Sequence, residues 1–308
     1  MNLICKPTTI QWADPAIAWI ATHVREPWLT PIVHFFSSLG ETGAILLVVS
    51  LGYWLWNKRS LKYIAYGTFF AILLNVFIKG IFQQCRPDSS FWLDTTNELH
   101  KSFSFPSGHA QVSILFWCGL AYFLRFNKWL AYLCIIIGFM VGLARPYLGA
   151  HYLHDVFGGW LFGLMVLGLV ILFERNERFV KNKIHVSLQT IGLLLFLGFS
   201  YYFLIDPSSL VLRTVSILFG FWLGCQIELR KVQFTVPHSN LIRIPVMVIG
   251  LAGILVLWQG VKLALSHLTL PAIQINILQS MQYALIGLWI SVGVPLLICK
   301  FRKSPSRE

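Results

Sequence analysis

Residues 153–173 read LHDVFGGWLFGLMVLGLVILF, and this stretch holds a single acidic residue, Asp155, close to its start. A helix of about 20 predominantly apolar residues crosses the hydrocarbon core of a bilayer. Because backbone groups in lipid must satisfy their own hydrogen bonds, a span of this length is predicted to be helical. The stretch therefore decides the class of fold, which is an α-helical protein embedded in a membrane.

The rest of the sequence repeats this pattern. The 308 residues are 56% hydrophobic and only 12% charged, whereas about 25% of residues are charged in soluble domains. We therefore expect an all-α, polytopic transmembrane helical bundle of about nine spans. The other eight spans are predicted near residues 42–57, 62–84, 108–125, 129–147, 187–205, 209–228, 243–265 and 277–299.

The first 40 residues differ from the rest of the chain. They hold three tryptophans and are interrupted by prolines, a composition that favours one or two short helices lying in the membrane interface. The chain is therefore predicted to have three parts. These are interfacial helices over 1–40, a catalytic membrane core over 41–175 that carries the motifs described next, and a four-span extension over 176–308.

Basic residues cluster on one predicted side of the membrane. Sixteen of the 24 lysines and arginines follow spans one, three, five, seven and nine, and cytoplasmic segments carry an excess of these residues. We therefore expect a multi-pass protein of the inner or plasma membrane with a cytoplasmic C-terminus. The N-terminus, the loop over 85–107 and the turn over 145–152 would be non-cytoplasmic. The net charge of +12 thus reflects topology, and no nucleic-acid partner is expected.

Three pieces of sequence on the non-cytoplasmic side carry charged and imidazole groups. The first is KGIFQQCRP, from Lys79 to Pro87. Lys79 and Arg86 are seven residues apart, nearly two helical turns, so one helix end can present both cations. Such a pair can clamp a phosphate, with the arginine offering a bidentate fork. The alternative is a pair of cations that merely extend to the membrane surface.

The second piece is FPSGHA, over residues 105–110, at the start of a predicted span. Ser107 is placed to cap that helix, and Gly108 permits a close approach of the backbone. Free N–H groups and the helix dipole at a helix start bind anions. His109 would then stand in the first turn beside a bound phosphate. By itself, this piece is also compatible with an ordinary helix start and an interfacial histidine.

The third piece is RPYLGAHYLHD, from Arg145 to Asp155. His151 and Asp155 can face each other on the first turns of the next span. A carboxylate bonded to one imidazole nitrogen fixes the tautomer and leaves the other nitrogen free to attack. A structural His–Asp pair is the alternative. A metal site is not favoured, because His154 is rotated about 100° from the Asp155 direction and no third cluster supplies ligands.

In this order, the three pieces resemble the type 2 phosphatidic acid phosphatase superfamily. Its pattern reads K-x6-R-P, then P-S-G-H, then S-R-x5-H-x3-D, and the resemblance covers roughly residues 40–175. The superfamily includes lipid phosphate phosphatases, bacterial undecaprenyl pyrophosphate phosphatases, glucose-6-phosphatase and vanadium haloperoxidases. One position departs from the pattern, since the serine expected before Arg145 is Ala144. The loss of that hydroxyl could tune the affinity for phosphate.

The resemblance implies a metal-independent phosphatase without a cofactor that works through a phosphohistidine. His151 would attack phosphorus and Asp155 would orient it. His109 would protonate the leaving group and later activate water. The residues that would hold the phosphoryl oxygens are Lys79, Arg86, Ser107, Gly108 and Arg145.

The expected substrate is a phosphorylated lipid, because the motifs lie at the membrane boundary, where a headgroup would sit. Phosphatidate, sphingoid phosphates, phosphatidylglycerophosphate and polyprenyl pyrophosphate all qualify. A sugar-phosphate phosphatase, a lipid phosphotransferase and a non-catalytic lipid transporter are the alternatives. The sequence also leaves open whether the chain forms a homodimer, what the extension does, and whether Cys5 and Cys85 pair.

Overall fold

The computed structural model describes residues 5–10, 13–93, 102–176, 209–266 and 271–303. Over these residues the chain is helical and contains no strand, as predicted for an all-α membrane protein. Its α-helices are α1 (Ala13–His23), α2 (Leu29–Ser38), α3 (Thr42–Leu55), α4 (Lys58–Phe82), α5 (Gly108–Phe123), α6 (Lys128–Tyr147), α7 (Leu153–Arg175), α8 (Ser209–Ile227), α9 (Asn240–Ser266), α10 (Ala272–Leu288) and α11 (Val294–Lys303).

Six helical stretches of the described residues are long and apolar enough to cross a membrane. The pair α2–α3, bent by 53°, makes a seventh if it counts as one span. Nine spans are therefore not confirmed. The helix predicted over 108–125 is present as α5 but has only 16 residues, and the span predicted over 187–205 lies outside the described residues. The six stretches are Lys58–Phe82, Lys128–Tyr147, Leu153–Arg175, Val211–Val232, Asn240–Gly260 and Gln274–Lys300.

The chain divides into two compact units. The first comprises Met1–Leu46 and Tyr63–Lys181 and contains all three sequence motifs. The second comprises Leu47–Lys62 and Asn182–Glu308. The three-part division expected from the sequence stays a prediction.

In the first unit, α7 packs closely against α5 at two glycines. A Cβ on Gly159 would stand 2.6 Å from the Ser107 carbonyl oxygen, and one on Gly163 would stand 2.4 Å from that of Gln111. Small residues four apart allow two membrane helices to approach closely. The Asp155 carbonyl oxygen accepts a hydrogen bond from Ser107 N at 2.9 Å. This crossing therefore joins the second sequence motif to the third.

The turn between α6 and α7 depends on Gly149, whose φ of +74° is left-handed. A Cβ there would lie 2.0 Å from the Phe91 carbonyl oxygen, so both the backbone and the neighbouring chain require glycine. One residue earlier, the Leu148 carbonyl oxygen accepts a hydrogen bond from Leu93 N at 3.0 Å. The loop that follows α4 is thereby fastened to the turn that carries His151.

Cys5 and Cys85, whose pairing the sequence left open, form a disulfide. Two backbone hydrogen bonds flank it, since Lys6 N donates to the Gln83 carbonyl oxygen and Cys85 N donates to that of Lys6, both at 2.8 Å. The amino-terminal segment is thus joined to the residue that precedes Arg86.

In the second unit, α8 and α10 approach each other at glycines. A Cβ on Gly220 would stand 1.9 Å from the Ala284 carbonyl oxygen, and one on Gly287 would stand 2.3 Å from that of Ile217. Both values are shorter than any side chain tolerates, so the two backbones are in direct contact. Glycine removes the bulk that would separate the two helices.

Two basic side chains of the second unit have defined partners. Lys58 Nζ lies 2.8 Å from Oε1 of the buried Glu228. Arg213 is partly buried. Its Nη2 donates to Gln279 Oε1 at 3.3 Å, and its guanidinium lies over the Tyr283 ring.

Candidate active site

The His151–Asp155 pair lies at the amino end of α7. Both residues are nearly inaccessible, at 2% and 0% exposed, and His151 Nδ1 is 3.3 Å from Asp155 Oδ2. The same carboxylate oxygen accepts from Tyr152 N at 2.9 Å. Arg86 Nη1 lies 3.0 Å from His151 Nε2. Because a guanidinium has only donors, Nε2 must accept, and the proton of the neutral imidazole sits on Nδ1 facing Asp155.

Two further side chains contact the carboxylate. Ser104 Oγ donates to Asp155 Oδ2 at 2.5 Å and lies 3.4 Å from His151 Nδ1. His154 Nε2 is 3.2 Å from Asp155 Oδ1 and 2.7 Å from Gln84 Nε2. The expectation that His154 points away from Asp155 is therefore wrong, because its ring contacts the second carboxylate oxygen. Among the described residues, no group of three or more His, Cys, Asp or Glu could hold a metal ion.

Two cations from the first motif lie beside this pair. Lys79 is buried at the end of α4, and its Nζ donates to the Phe103 carbonyl oxygen and, at 3.3 Å, to Ser102 Oγ. Arg86 Nε donates to the Ser102 carbonyl oxygen at 2.8 Å, and its Nη1 donates to that of Ala150 at 2.7 Å. Carbonyl oxygens therefore orient both cations without neutralising their charge.

Arg145, the third cation, lies near the end of α6 and is 4% exposed. Its Nη1 donates to Ser37 Oγ on α2 at 2.9 Å. The three cations interact electrostatically with one another and with both motif histidines. Asp155 supplies one negative charge against three positive charges. Since buried charge is costly unless it is paired, the cluster is suited to bind an anion.

The start of α5 is held against α4. Ser107 caps the helix as predicted, its Oγ accepting a backbone N–H at 3.5 Å. Asn75 Nδ2 donates to the Pro106 carbonyl oxygen at 3.1 Å, and its Oδ1 would be 3.2 Å from a Cβ on Gly108. His109 follows in the first turn of α5. The helix start expected to receive an anion is thus positioned by an asparagine that the sequence did not single out.

Burial and charge keep His151 neutral. Burial lowers the pKa of His151 well below its ordinary value, and the neighbouring Arg86, Lys79 and Arg145 lower it further. Burial also lowers the pKa of Arg86, with a further contribution from Arg145. A neutral imidazole is the form whose free nitrogen carries a lone pair, so the environment favours the nucleophilic state of the ring.

The structure brings all eight predicted site residues to one end of the first unit, at the ends of α4 and α6 and the starts of α5 and α7. It also adds polar residues that sequence reasoning missed. A single serine or asparagine has no spacing or charge that distinguishes it, so no local signal pointed to them. Those that hold the cations, the carboxylate or the helix start are Ser37, Asn75, Ser102 and Ser104.

The apolar helices define a multi-pass membrane protein, and its relatives give its class as a phosphatase. Residues 60–179 match the family model of the PAP2 superfamily, and residues 212–306 match the one described as PAP2 superfamily phosphatase, transmembrane extension. Phosphatidylglycerophosphatase B of Bacillus subtilis strain 168 is 32% identical over 188 residues, which are 56% of this chain and 89% of that protein. The chain belongs to the PAP2 superfamily, as its motifs predicted.

Two further similarities each cover about half of the chain. A putative undecaprenyl-diphosphatase of Escherichia coli strain K12 is 27% identical over 149 residues, which are 47% of this chain and 73% of that protein. Among solved structures, the transmembrane PAP2-type phosphatidylglycerolphosphate phosphatase of Bacillus subtilis is 29% identical, with a TM-score of 0.44. That match covers 54% of this chain and 87% of the solved chain.

Proposed function

We propose that the chain hydrolyses a phosphorylated lipid through a phosphohistidine formed on His151, without a metal ion. One observation carries this proposal. His151 Nδ1 faces the Asp155 carboxylate at 3.3 Å, whereas Nε2 faces the Arg86 guanidinium at 3.0 Å. The nitrogen that holds the free lone pair is therefore the one beside a phosphate-binding cation.

In the first step, Nε2 of His151 would attack phosphorus. The N–P bond forms as the P–O bond to the leaving group breaks, and His109 gives a proton to the departing oxygen. The imidazole of His151 carries positive charge at this stage, which the Asp155 carboxylate stabilises. The phosphoryl oxygens would be bound by Lys79, Arg86, Arg145, Ser107 and the Gly108 backbone, because phosphoryl transfer depends mostly on positioning and charge stabilisation.

In the second step, water would attack the phosphohistidine. His109, now neutral, takes a proton from that water as the O–P bond forms. The N–P bond breaks and its electron pair returns to Nε2, so inorganic phosphate leaves and His151 regains its starting state. The cycle consumes one water molecule and needs no oxidant, reductant or metal.

The relatives support the substrate class. The Bacillus subtilis protein is named as a phosphatidylglycerophosphatase, and the Escherichia coli protein as a putative undecaprenyl-diphosphatase. Both names denote enzymes acting on lipids with a terminal phosphate. We therefore infer that phosphatidylglycerophosphate and polyprenyl pyrophosphate are better candidates for this chain than a sugar phosphate.

We further infer that the site faces the non-cytoplasmic side. The arrangement of basic residues along the sequence supports this orientation. The Cys5–Cys85 disulfide supports it independently, because disulfides persist in oxidising compartments. A membrane-impermeant thiol reagent applied to intact cells after reduction is expected to label Cys85, and labelling only after lysis would reverse the assigned orientation.

Phosphate release by the purified protein tests the function. The substrates to compare are phosphatidylglycerophosphate, polyprenyl pyrophosphate, phosphatidate, sphingosine phosphate and glucose-6-phosphate, each with and without a chelator. We expect release from the lipids, no effect of the chelator, and a loss of about a thousandfold or more in the His151→Ala variant. Full activity of that variant, or release from glucose-6-phosphate alone, contradicts the proposal.

A His109→Ala variant tests the intermediate itself. With a substrate whose leaving group needs no protonation, such as p-nitrophenyl phosphate, this variant should still form the phosphohistidine but hydrolyse it slowly. Acid-labile phosphate should then accumulate on the protein and be absent from a His109→Ala/His151→Ala double variant. Equal labelling of the two variants would place the phosphate on another residue.

A further inference from the structure

The end of α2 is packed directly against the active site. A Cβ on Gly40, in the break between α2 and α3, would stand 2.4 Å from Val141 Cγ1 on α6 and 3.3 Å from His109 Cδ2 on α5. The Leu39 carbonyl oxygen accepts a hydrogen bond from Trp117 Nε1 at 3.4 Å. No room is left between this break and the helices that carry His109 and Arg145.

The start of α2 is fixed to the same helix end. Tyr147, two residues after Arg145, bonds through its OH to Thr30 Oγ1 at 2.9 Å and to the Glu26 carbonyl oxygen at 3.2 Å. Arg25 Nε donates to the Tyr147 carbonyl oxygen at 2.9 Å. The start of α2 is thus attached to the end of α6, and the break after α2 packs against α5 and α6, so the position of α2 relative to Arg145 is fixed at both ends.

Near the end of α2, Ser37 Oγ accepts a hydrogen bond from Arg145 Nη1 at 2.9 Å. Ser37 is 6% exposed and Arg145 is 4% exposed, so solvent does not readily compete for this bond. Beside Arg145 on α6, Ala144 is also buried and has no hydroxyl that could do the same. A hydrogen bond between a buried hydroxyl and a charged group is among the stronger polar interactions in proteins.

We infer that Ser37 is a positioning residue of the phosphatase: from α2, it orients the Arg145 guanidinium toward the phosphoryl oxygens of the substrate. This inference rests on the proposed function and extends it to a residue outside the three motifs. Without the hydroxyl, one donor of the Arg145 guanidinium would lose its buried acceptor, and the group would be less firmly oriented toward the substrate. Phosphate binding would weaken, whereas the His151–Asp155 pair would be unchanged.

A Ser37→Ala variant in the full-length purified protein tests the inference. We expect the KM for the lipid phosphate and the inhibition constant of inorganic phosphate to rise together by about tenfold, with a smaller change in kcat. Ser37→Thr, which keeps the hydroxyl, should restore most of the loss. Ser38→Ala is the matched control, because Ser38 is exposed and its Oγ donates only to the Phe35 carbonyl oxygen of its own helix, at 2.7 Å.

A double-mutant cycle with Arg145→Lys separates positioning from a general loss of packing. If Ser37 acts through the guanidinium, Ser37→Ala should cost little once that group is gone, so the two effects will be non-additive. Calorimetric titration with inorganic phosphate measures the same coupling between Ser37 and Arg145 in the absence of turnover. Equal costs of Ser37→Ala in both backgrounds, or a Ser37→Thr variant as weak as Ser37→Ala, would overturn the inference.

Failure of this inference is distinguishable from failure of the proposed function. If Ser37→Ala keeps the wild-type KM and phosphate affinity while His151→Ala is inactive, only the role of Ser37 is rejected. A fully active His151→Ala variant would discard the phosphohistidine mechanism. In that case the phosphate titration still reports whether Ser37 supports the anion site.

Discussion

His151 Nε2 lies 3.0 Å from Arg86 Nη1, so the nitrogen proposed to attack phosphorus accepts a hydrogen bond from a cation proposed to bind the phosphate. The same Nη1 donates to the Ala150 carbonyl oxygen at 2.7 Å, which ties the guanidinium to the turn that carries His151. Because a guanidinium has five donors, an arriving phosphoryl group can replace the bond to Nε2 while the others persist. We expect Arg86 to bond to the Nε2 lone pair in the free enzyme and to position the phosphorus beside Nε2 once substrate binds.

Removal of the Ser104 hydroxyl is expected to slow catalysis. Ser104 Oγ donates to Asp155 Oδ2 at 2.5 Å, so a Ser104→Ala variant leaves the carboxylate less firmly oriented toward His151. We expect kcat to fall by about 10–100-fold with a small change in KM, measured as lipid phosphate release. Ser90→Ala, on the exposed part of the same loop, is the control. An unchanged kcat in Ser104→Ala would show that Tyr152 N suffices to orient Asp155.

Protonation of His151 is expected to reduce stability in acid. Burial and the nearby cations lower the pKa of His151 below 6.5, so just below that pH the unfolded chain binds a proton that the folded protein does not. The stability associated with neutral His151 is therefore complete above about pH 6.5 and declines as the pH falls below it. The unfolding temperature in detergent should fall more between about pH 8 and pH 5.5 for the wild-type protein than for His151→Gln.

The control for this measurement is His23→Gln, because His23 is exposed on α1. It should follow the wild-type dependence on pH. If His151→Gln loses as much stability in acid as wild type, other groups dominate the acid response and the effect assigned to His151 is absent.

Reduction of the Cys5–Cys85 disulfide is expected to weaken substrate binding. The bond closes a separation of 80 residues and anchors the chain one residue before Arg86. Disulfides of this loop size contribute about 2–5 kcal/mol to stability. A reducing agent should raise the KM several-fold and lower the unfolding temperature, and a Cys5→Ser/Cys85→Ser variant should show both effects without reductant.

The free cysteines provide the control for that experiment. Cys134 is buried and unpaired with another cysteine, so Cys134→Ala should respond to reductant as wild type does. A double variant that still loses activity on reduction would assign the redox effect to a different group.

Replacement of Gly149 by alanine is expected to destabilise the fold. The residue has a φ of +74° and a Cβ would meet the Phe91 carbonyl oxygen at 2.0 Å. We expect a loss of about 2–4 kcal/mol, seen as a lower unfolding temperature. Gly168→Ala on α7 is the control, because nothing lies within 4 Å of its Cβ position. Equal stability of the two variants would contradict the role assigned to this turn.

The sequence by itself determined the helical membrane class and the approximate places of the membrane helices among the described residues. Ser107 caps its helix as local geometry predicts. Arg86 lies beyond the end of α4 and His151 lies before the start of α7, so helical spacing alone does not place them beside Lys79 and Asp155. The number of spans did not follow as well, because α5 is shorter than its apolar run and α2 and α3 meet at a bend.

Only the tertiary structure decided which distant polar groups complete the site. Ser37 contacts Arg145 at a sequence separation of 108 residues, and Ser104 contacts Asp155 at a separation of 51. Cys5 is bonded to Cys85 at a separation of 80. Such contacts depend on tertiary packing, as at Gly159, where the backbones of α7 and the start of α5 are in direct contact. A charged motif can be recognised in one stretch of chain because its residues lie close together in the sequence. A serine acquires a role only when packing places a partner beside it.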